Sequence, residues 1–315
     1  MSERRLRAAV VGVGHLGRHH ARILSSIEGA TLVAVVDTNA SRAAEIAAGV
    51  GARSFTHARD IFDQVDLVSI ATPTETHAEI ASLFLDRGIP VLVEKPLART
   101  VGEADAIIRA GARTGAVLAV GHTERFNPAV IAARPAVKDP GFIEVHRLGT
   151  FPERSLDIDV VFDLMIHDLD LVLSIVQSEV ESLEAVGVPV LTDRADIANA
   201  RIRFASGCVA NITASRISRD RTRKIRFFQR DAYISIDCGA KETEVYRLVH
   251  HADRRPTIEG GRIDVPDGEP LRNELQDFVD AVRTGRAPLV GGADGRRAVA
   301  LAADITERMA ACTRI

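Results

Sequence analysis

Several short segments hold residue types and spacings that could do chemistry. Gly12-Val13-Gly14-His15-Leu16-Gly17 spells GxGxxG between an apolar run and a helical pattern, and Asp37 follows Gly17 by twenty residues at the end of the next apolar run. In that setting the first glycine permits a tight turn and the second admits a pyrophosphate to the backbone. The third lets the helix pack on the sheet, and the helix N-terminus offers N–H groups to the anion. The acid accepts hydrogen bonds from a ribose. A carboxylate repels a 2′-phosphate and Thr38 follows it, so the pattern favours NAD over NADP; Arg42 is the residue that could oppose this preference. Further along, Val93-Glu94-Lys95-Pro96 ends another apolar run. A lysine there can donate to a substrate oxygen and stabilise negative charge developing on it, or it can simply pair with a carboxylate. Ala71-Thr72-Pro73-Thr74 and His77 lie where ligands gather, at a strand's carboxyl end. His77 reads equally well as an exposed helix residue.

These residues need a sheet to hold them, and the first 120 residues supply the pattern for one. Strand signals at Leu6–Val13, Thr31–Val36, Asp66–Ala71, Val91–Val93 and Val117–Val120 alternate with helical stretches at Ser41–Ala48, Thr76–Arg87 and Val101–Arg113. Such alternation predicts a doubly wound parallel sheet with helices on both faces, an α/β Rossmann domain over residues 1–122. Beyond it the rhythm changes. A long helical pattern runs from Val160 to about Val176, then strand-like stretches follow: Val180–Val190, Asn199–Phe204, Cys208–Ala214, Lys224–Phe228, Tyr233–Ile236 and Glu244–Val249. That order predicts an α+β domain over 123–315 with a large, mainly antiparallel open sheet. Two closing helices, about Leu271–Thr284 and Gly295–Ala311, could pack back on the first domain.

Composition excludes several classes. The 315 residues are 46% hydrophobic and 26% charged with a net charge of −3, which gives no reason to expect nucleic acid or a membrane surface as partner. Three distant cysteines in no CxxC spacing argue against a zinc or disulfide framework and for a reducing, cytoplasmic setting. No metal site is expected. Only four residues are lysine (Lys95, Lys138, Lys224 and Lys241), so a lysine at a strand end is less readily dismissed as surface decoration.

GxGxxG, the acid after the second strand, ATPTETH and EKP, in this order, resemble the glucose-fructose oxidoreductase / inositol dehydrogenase family (Gfo/Idh/MocA), and the ending ELQDFVDAVRTGRAPLVGGADGRRAVALA is similar to it too. The resemblance implies an NAD-dependent dehydrogenase acting on a CH–OH group. It implies cofactor contacts from Gly12, Gly14, His15, Leu16, Gly17, Asp37, Thr72, Pro73, His77, Glu94 and Lys95. The family carries Asp-x-x-x-His on a helix of its second domain, matched here by Asp163 and His167, which share a face at i, i+4 with Asp170 a turn on. By resemblance His167 is the general base, Asp163 orients it or binds the sugar, and Lys95 holds the reacting oxygen. The competing reading makes Asp163, His167 and Asp170 a polar stripe on a surface helix; against it, the opposite face, Leu164, Leu171 and Ile175, already supplies the core. A cis peptide before Pro96 is a further family trait.

Three segments, 121–130, 147–173 and 214–237, resemble the sugar-nucleotide branch of that family. The implied substrate is a UDP-sugar, UDP-N-acetylglucosamine oxidised to its 3-keto derivative. The alternatives are a free sugar or inositol-like polyol as substrate, or a non-catalytic NAD-binding regulator. Arg125, Asn127, Glu153 and Arg154 flank the domain junction and the catalytic helix, and Arg125, Asn127 and Arg154 are expected to bind substrate with Lys95, Asp163 and His167. Arg216, Arg219, Arg221, Arg223, Lys224 and Arg226 could grip a diphosphate, though such a run is more often a solvated hairpin or subunit contact. Relatives cover the outer sheet face by subunit pairing, which implies a homodimer or homotetramer.

Overall fold

A computed structural model describes residues 5–151 and 158–312. The chain forms two compact units, one of Met1–Thr123 with Pro270–Val299 and the other of Glu124–Glu269 with Ala300–Ile315. The first unit opens β1 (Leu6–Val11), α1 (Gly17–Leu24), β2 (Ala30–Val36), α2 (Ala40–Val50), β3 (Arg53–Phe55), β4 (Leu67–Ile70), α3 (His77–Leu85), β5 (Val91–Glu94), α4 (Val101–Thr114) and β6 (Leu118–Gly121). All six strands are parallel, in the order β3-β2-β1-β4-β5-β6. Strand order reverses between β1 and β4, and a doubly wound sheet binds ligands outside the carboxyl ends at that point. β1 and β4 are buried along most or all of their length, which is why they read as unbroken apolar runs rather than alternating ones. The first strand stops at Val11, two residues before its apolar pattern does, because Gly12 turns the chain with φ +82°.

The second unit contains α5 (Pro128–Ala133), β7 (Phe142–Leu148), α6 (Ile166–Val176), β8 (Val180–Val188), β9 (Ile197–Phe204), β10 (Val209–Ser215), β11 (Thr222–Phe228), β12 (Ala232–Asp237), β13 (Glu242–Val249) and β14 (Thr257–Arg262). They make an eight-stranded sheet, β14-β13-β12-β11-β7-β10-β9-β8, antiparallel except for β7 with β10. One face of β7 is buried through Ile143, Val145 and Arg147. Glu144 and His146 lie half-exposed on the other. The sequence pattern does not announce this central strand, because a charged residue, Arg147, occupies a core-facing position and spoils the alternation. Helix α5 is too short for a periodic pattern, and its one sequence signal is Asn127 before Pro128: Asn127 Oδ1 accepts from Ala129 N–H at 3.1 Å and Pro128 sits at the first turn.

The chain ends in α7 (Pro270–Thr284) and α8 (Gly292–Cys312). Leu275, Phe278 and Val279 of α7 lie in the same buried cluster as Val10, Ile23, Leu24 and Ile27 of the first unit. Among the described residues no helix is long and apolar enough to cross a membrane.

Candidate active site

In the nucleotide-binding unit the glycine turn is built as its spelling requires. A Cβ on Gly12 would stand 2.7 Å from Ala71 O and from Thr72 Cγ2, and one on Gly17 would stand 1.8 Å from Gly12 O. The turn from β1 therefore lies directly against the end of β4, and α1 starts hard against that turn. A Cβ on Gly14 would meet no protein atom within 4 Å, so nothing in the chain itself demands glycine there, whereas close approach of a pyrophosphate would. No side chain caps α1 and no acid lies in its first turn, so its N-terminal amides suit an anion. His15 and Leu16 lie exposed at this helix start. These features fit a dinucleotide.

Asp37 is buried at the end of β2, with Oδ2 accepting from Val13 N–H at 3.0 Å and Oδ1 from Asn39 N–H at 2.9 Å. Arg42 grips the same carboxylate with both arms of its fork, Nε at 2.9 Å and Nη2 at 2.7 Å. Burial alone would push this carboxyl up, but Arg42 and the two amides outweigh it and hold it below its usual range.

Thr72 Oγ1 accepts from Thr76 Oγ1 at 2.7 Å, and Pro73 is exposed. His77 is not an exposed helix residue. It is 1% exposed, with Nδ1 2.9 Å from Pro96 O and Nε2 2.9 Å from Thr72 O. Its ring ties the end of β4 to the EKP turn, and both nitrogens face the chain's own carbonyls instead of a ligand. The Lys95–Pro96 bond is cis. Lys95 is half-buried. Glu94 also turns inward: Oε1 lies 2.9 Å from His20 Nε2 and Oε2 accepts from Lys95 N–H at 3.0 Å. Of the expected cofactor contacts, His77 and Glu94 thus hold the shape of the site through their side chains.

In the second unit the long helix begins with a π-helical segment, Val161–Met165, and continues as α6. Asp159 starts it, its Oδ1 accepting from Val161 N–H at 2.8 Å and Phe162 N–H at 3.1 Å. Asp163 lies inside the wide π turn and His167 one residue into α6; both are half-buried. The reading of a surface stripe with a core face does not hold. Ile166, Asp168, Leu169, Asp170 and Leu171 are all buried, while Leu164 and Ile175 are only half-buried. The helix is enclosed on most sides, and Asp163 falls within its π-helical first segment.

Charged partners fasten this enclosed helix. Arg147 Nε and Nη2 donate to Asp168 Oδ2 and Oδ1 at 2.7 and 2.8 Å, and its Nη1 donates to Glu124 Oε1 at 3.0 Å. Burial alone would lower the Arg147 pKa, but Asp168 and Glu124 outweigh it and raise it, keeping the guanidinium charged. Arg125 Nε reaches Asp170 Oδ2 at 3.3 Å, which brings it beside the turn that follows His167. Asn127, expected to bind substrate, is spent inside the unit. It caps α5 and donates to Glu124 Oε2 at 3.0 Å and Cys238 O at 3.1 Å. Glu153 and Arg154 lie outside the described residues.

The arginine run divides. Arg216 is 1% exposed and locked to Asp196 at 2.9 Å, Ile158 O at 2.8 Å and Thr192 Oγ1 at 3.1 Å, which removes it from any diphosphate grip. Arg226 pairs with Glu144 at 2.6 Å and Lys224 with Asp237 at 3.7 Å. Among the described residues no cluster of side chains could hold a metal ion.

The two units define an oxidoreductase class, and comparison with known proteins agrees. Residues 6–122 match "Oxidoreductase family, NAD-binding Rossmann fold" and residues 145–235 match "GFO/IDH/MocA C-terminal domain". The chain belongs to the Gfo/Idh/MocA family and is a dehydrogenase of NAD-binding Rossmann fold. It is 40% identical over 304 residues to UDP-N-acetylglucosamine 3-dehydrogenase of Acidithiobacillus ferrooxidans, covering 95% of this chain and 96% of that protein. The solved structure of that organism's UDP-N-acetylglucosamine 3-dehydrogenase GnnA superposes with a TM-score of 0.91 at 39% identity, covering 98% and 99% of the two chains. The scyllo-inositol 2-dehydrogenase (NAD(+)) of Bacillus subtilis is 28% identical, over 93% of this chain and 90% of its own.

Proposed function

We propose that this protein oxidises a secondary alcohol of a sugar nucleotide with NAD, converting UDP-N-acetylglucosamine to its 3-keto derivative. The observation that carries the reading is the 40% identity, spread over nearly the whole of both chains, to a dehydrogenase named for that substrate. Asp37 at the end of β2 supports NAD in preference to NADP, since its carboxylate would oppose a 2′-phosphate.

NAD, when bound, supplies the acceptor for the hydride that leaves the carbinol carbon. The protein's own residues then have three tasks. Lys95 donates to the reacting oxygen and steadies the charge that builds on it. The His167 imidazole takes the hydroxyl proton, a role suited to a group whose unperturbed pKa is ~6.5. Asp163 orients that imidazole or holds the sugar, and Arg125, beside the same helix, contributes to substrate binding. Loss of hydride and proton leaves the ketone, so atoms and electrons balance. A second reading, oxidation of an inositol-like polyol, draws on the 28% identical relative. A non-catalytic regulator would have no use for Lys95, Asp163 and His167 together.

We further propose a cytoplasmic homodimer or homotetramer in which a second copy covers the open face of the eight-stranded sheet. That face carries a row of aromatic rings, Phe142, Phe228, Tyr233 and Tyr246, with successive centroids 5.7, 5.2 and 6.2 Å apart. Purified protein incubated with NAD and UDP-N-acetylglucosamine should produce the absorbance of reduced nicotinamide. Silence with that substrate, together with turnover of myo-inositol, would replace this reading with the second.

A further inference from the structure

The interior of the nucleotide-binding unit contains a row of polar side chains that the proposed chemistry does not use. His20 on α1 is fully buried, with Nδ1 2.8 Å from the Ser69 hydroxyl on β4 and Nε2 2.9 Å from Glu94 Oε1 at the end of β5. Glu94 Oε2 in turn accepts from the backbone N–H of Lys95 at 3.0 Å. Ser69 is fully buried and Glu94 is 6% exposed. On the neighbouring strand a Cβ at Gly121 would stand 3.0 Å from the Glu94 Cα, carboxyl carbon and Oε2, so a residue without a side chain makes room for the carboxylate.

The hydrogen bonding of this row is determined by its chemistry. Burial alone would push the Glu94 carboxyl up. The hydrogen bond from His20, with the neighbouring Lys95, outweighs it and leaves the group below its usual value. An ionised carboxylate has no proton to give, so Nε2 carries the hydrogen, and Ser69, which can give or accept, satisfies the other ring nitrogen. Burying three such groups is costly, and apolar residues of similar size would pack the space without that penalty. The row spans the two parts of the unit that must stay in register. His20 sits on the helix that opens from the glycine turn, and Glu94 holds the backbone of the lysine in the EKP turn.

We propose that His20 is a positioning residue for Lys95: through Glu94, and with Ser69 behind it, it fixes the EKP turn to the cofactor-binding helix and so sets where the Lys95 ammonium is presented. The proposal rests on the role given to Lys95 above. The His20→Leu variant, which cannot donate to Glu94, should lose at least tenfold in kcat with KM for NAD within twofold of wild type. In the His20→Gln variant an amide N–H can again reach the carboxylate, and part of the lost kcat should return. A merely structural residue would lower thermal stability and NAD affinity together, with no recovery of kcat by glutamine.

A second measurement needs neither substrate nor turnover. With only four lysines in the chain, reductive 13C-methylation gives few enough signals to assign by lysine-to-arginine variants. Ser69→Ala and His20→Gln should both move the Lys95 resonance and leave those of Lys138, Lys224 and Lys241 in place. An unmoved Lys95 signal in both, or a folded His20→Leu protein with kcat within twofold of wild type, overturns the proposal. Retention of activity by Lys95→Ala would instead overturn the role of Lys95 itself, so the two failures are distinct.

Discussion

At the scale of single residues, the proposed base and the proposed ribose-binding acid each lead to a separable outcome. The His167→Asn variant removes the proton acceptor but touches none of the glycine-turn contacts. Turnover should fall by at least a factor of 10² while the dissociation constant for NAD, followed by fluorescence titration, stays near wild type. An equal loss of NAD binding would show that His167 serves the cofactor. Asp37 is already gripped by Arg42 at 2.7 and 2.9 Å, so a ribose must share or displace that guanidinium. Asp37→Ala deletes the ribose acceptor and frees a cation suited to a 2′-phosphate. NAD affinity should fall more than NADP affinity, and an unchanged ratio would take Asp37 away from the ribose. Much at this scale is legible in the sequence. Gly12 and Gly17 are required by clashes within the chain, and clashes of that kind follow from the GxGxxG spelling. The internal duties of Asn127, His77, Glu94 and Arg216 were not legible, because a polar residue's type does not reveal whether its partner is a ligand or a buried carbonyl. Ser69 in the middle of Leu67–Ile70 was the one sign of the buried polar row.

At the scale of elements, β1, β2, β4, β5 and β6 of the parallel sheet are readable from their apolar runs, because burial on both faces favours that composition, whereas β3, the short and largely exposed Arg53–Phe55, gives no such run. Central strand β7 was hidden by Arg147, whose charge makes sense only once Asp168 and Glu124 are seen beside it. The π turn at Val161–Met165 left no periodicity of its own in so short a stretch. The loop after β8 shows how one acid can shape a connection. Asp196 Oδ2 accepts from the N–H groups of Val190, Leu191 and Thr192 at 2.8, 2.6 and 2.9 Å, and Oδ1 takes Arg216. Burial alone would raise this carboxyl, but those donors hold it far below its usual range. A carboxyl depressed in the folded state adds stability above the unfolded value of about 4, and loses that contribution as pH falls through the folded value. Asp196→Asn should therefore lower Tm at pH 7 by on the order of 10 °C, and the deficit should shrink below pH ~4. A deficit equal at pH 7 and pH 3, by thermal unfolding followed with circular dichroism, would show that the charge is not what matters.

At the scale of the whole molecule, the antiparallel sheet has one face filled by its own unit and another lined by half-exposed side chains. The aromatic row on that second face is continuous across four strands, from β7 through β11 and β12 to β13. Light scattering should return a mass at least twice the 34.0 kDa of one chain. Phe228→Arg, placed in the middle of the row, should shift the distribution toward the single chain, and a monomeric wild-type protein would remove the proposed partner.

The seating of Leu275, Phe278 and Val279 among Val10, Ile23 and Leu24 has a consequence for how the protein is made. The nucleotide-binding unit is interrupted in the gene's order: its last wall arrives about 150 residues after its first six strands leave the ribosome. Until then the nascent half displays a greasy seam that α7 is shaped to close. A gene fragment ending at Thr123 would keep that seam open, and a separate peptide spanning Pro270–Val299 is the piece that should mend it.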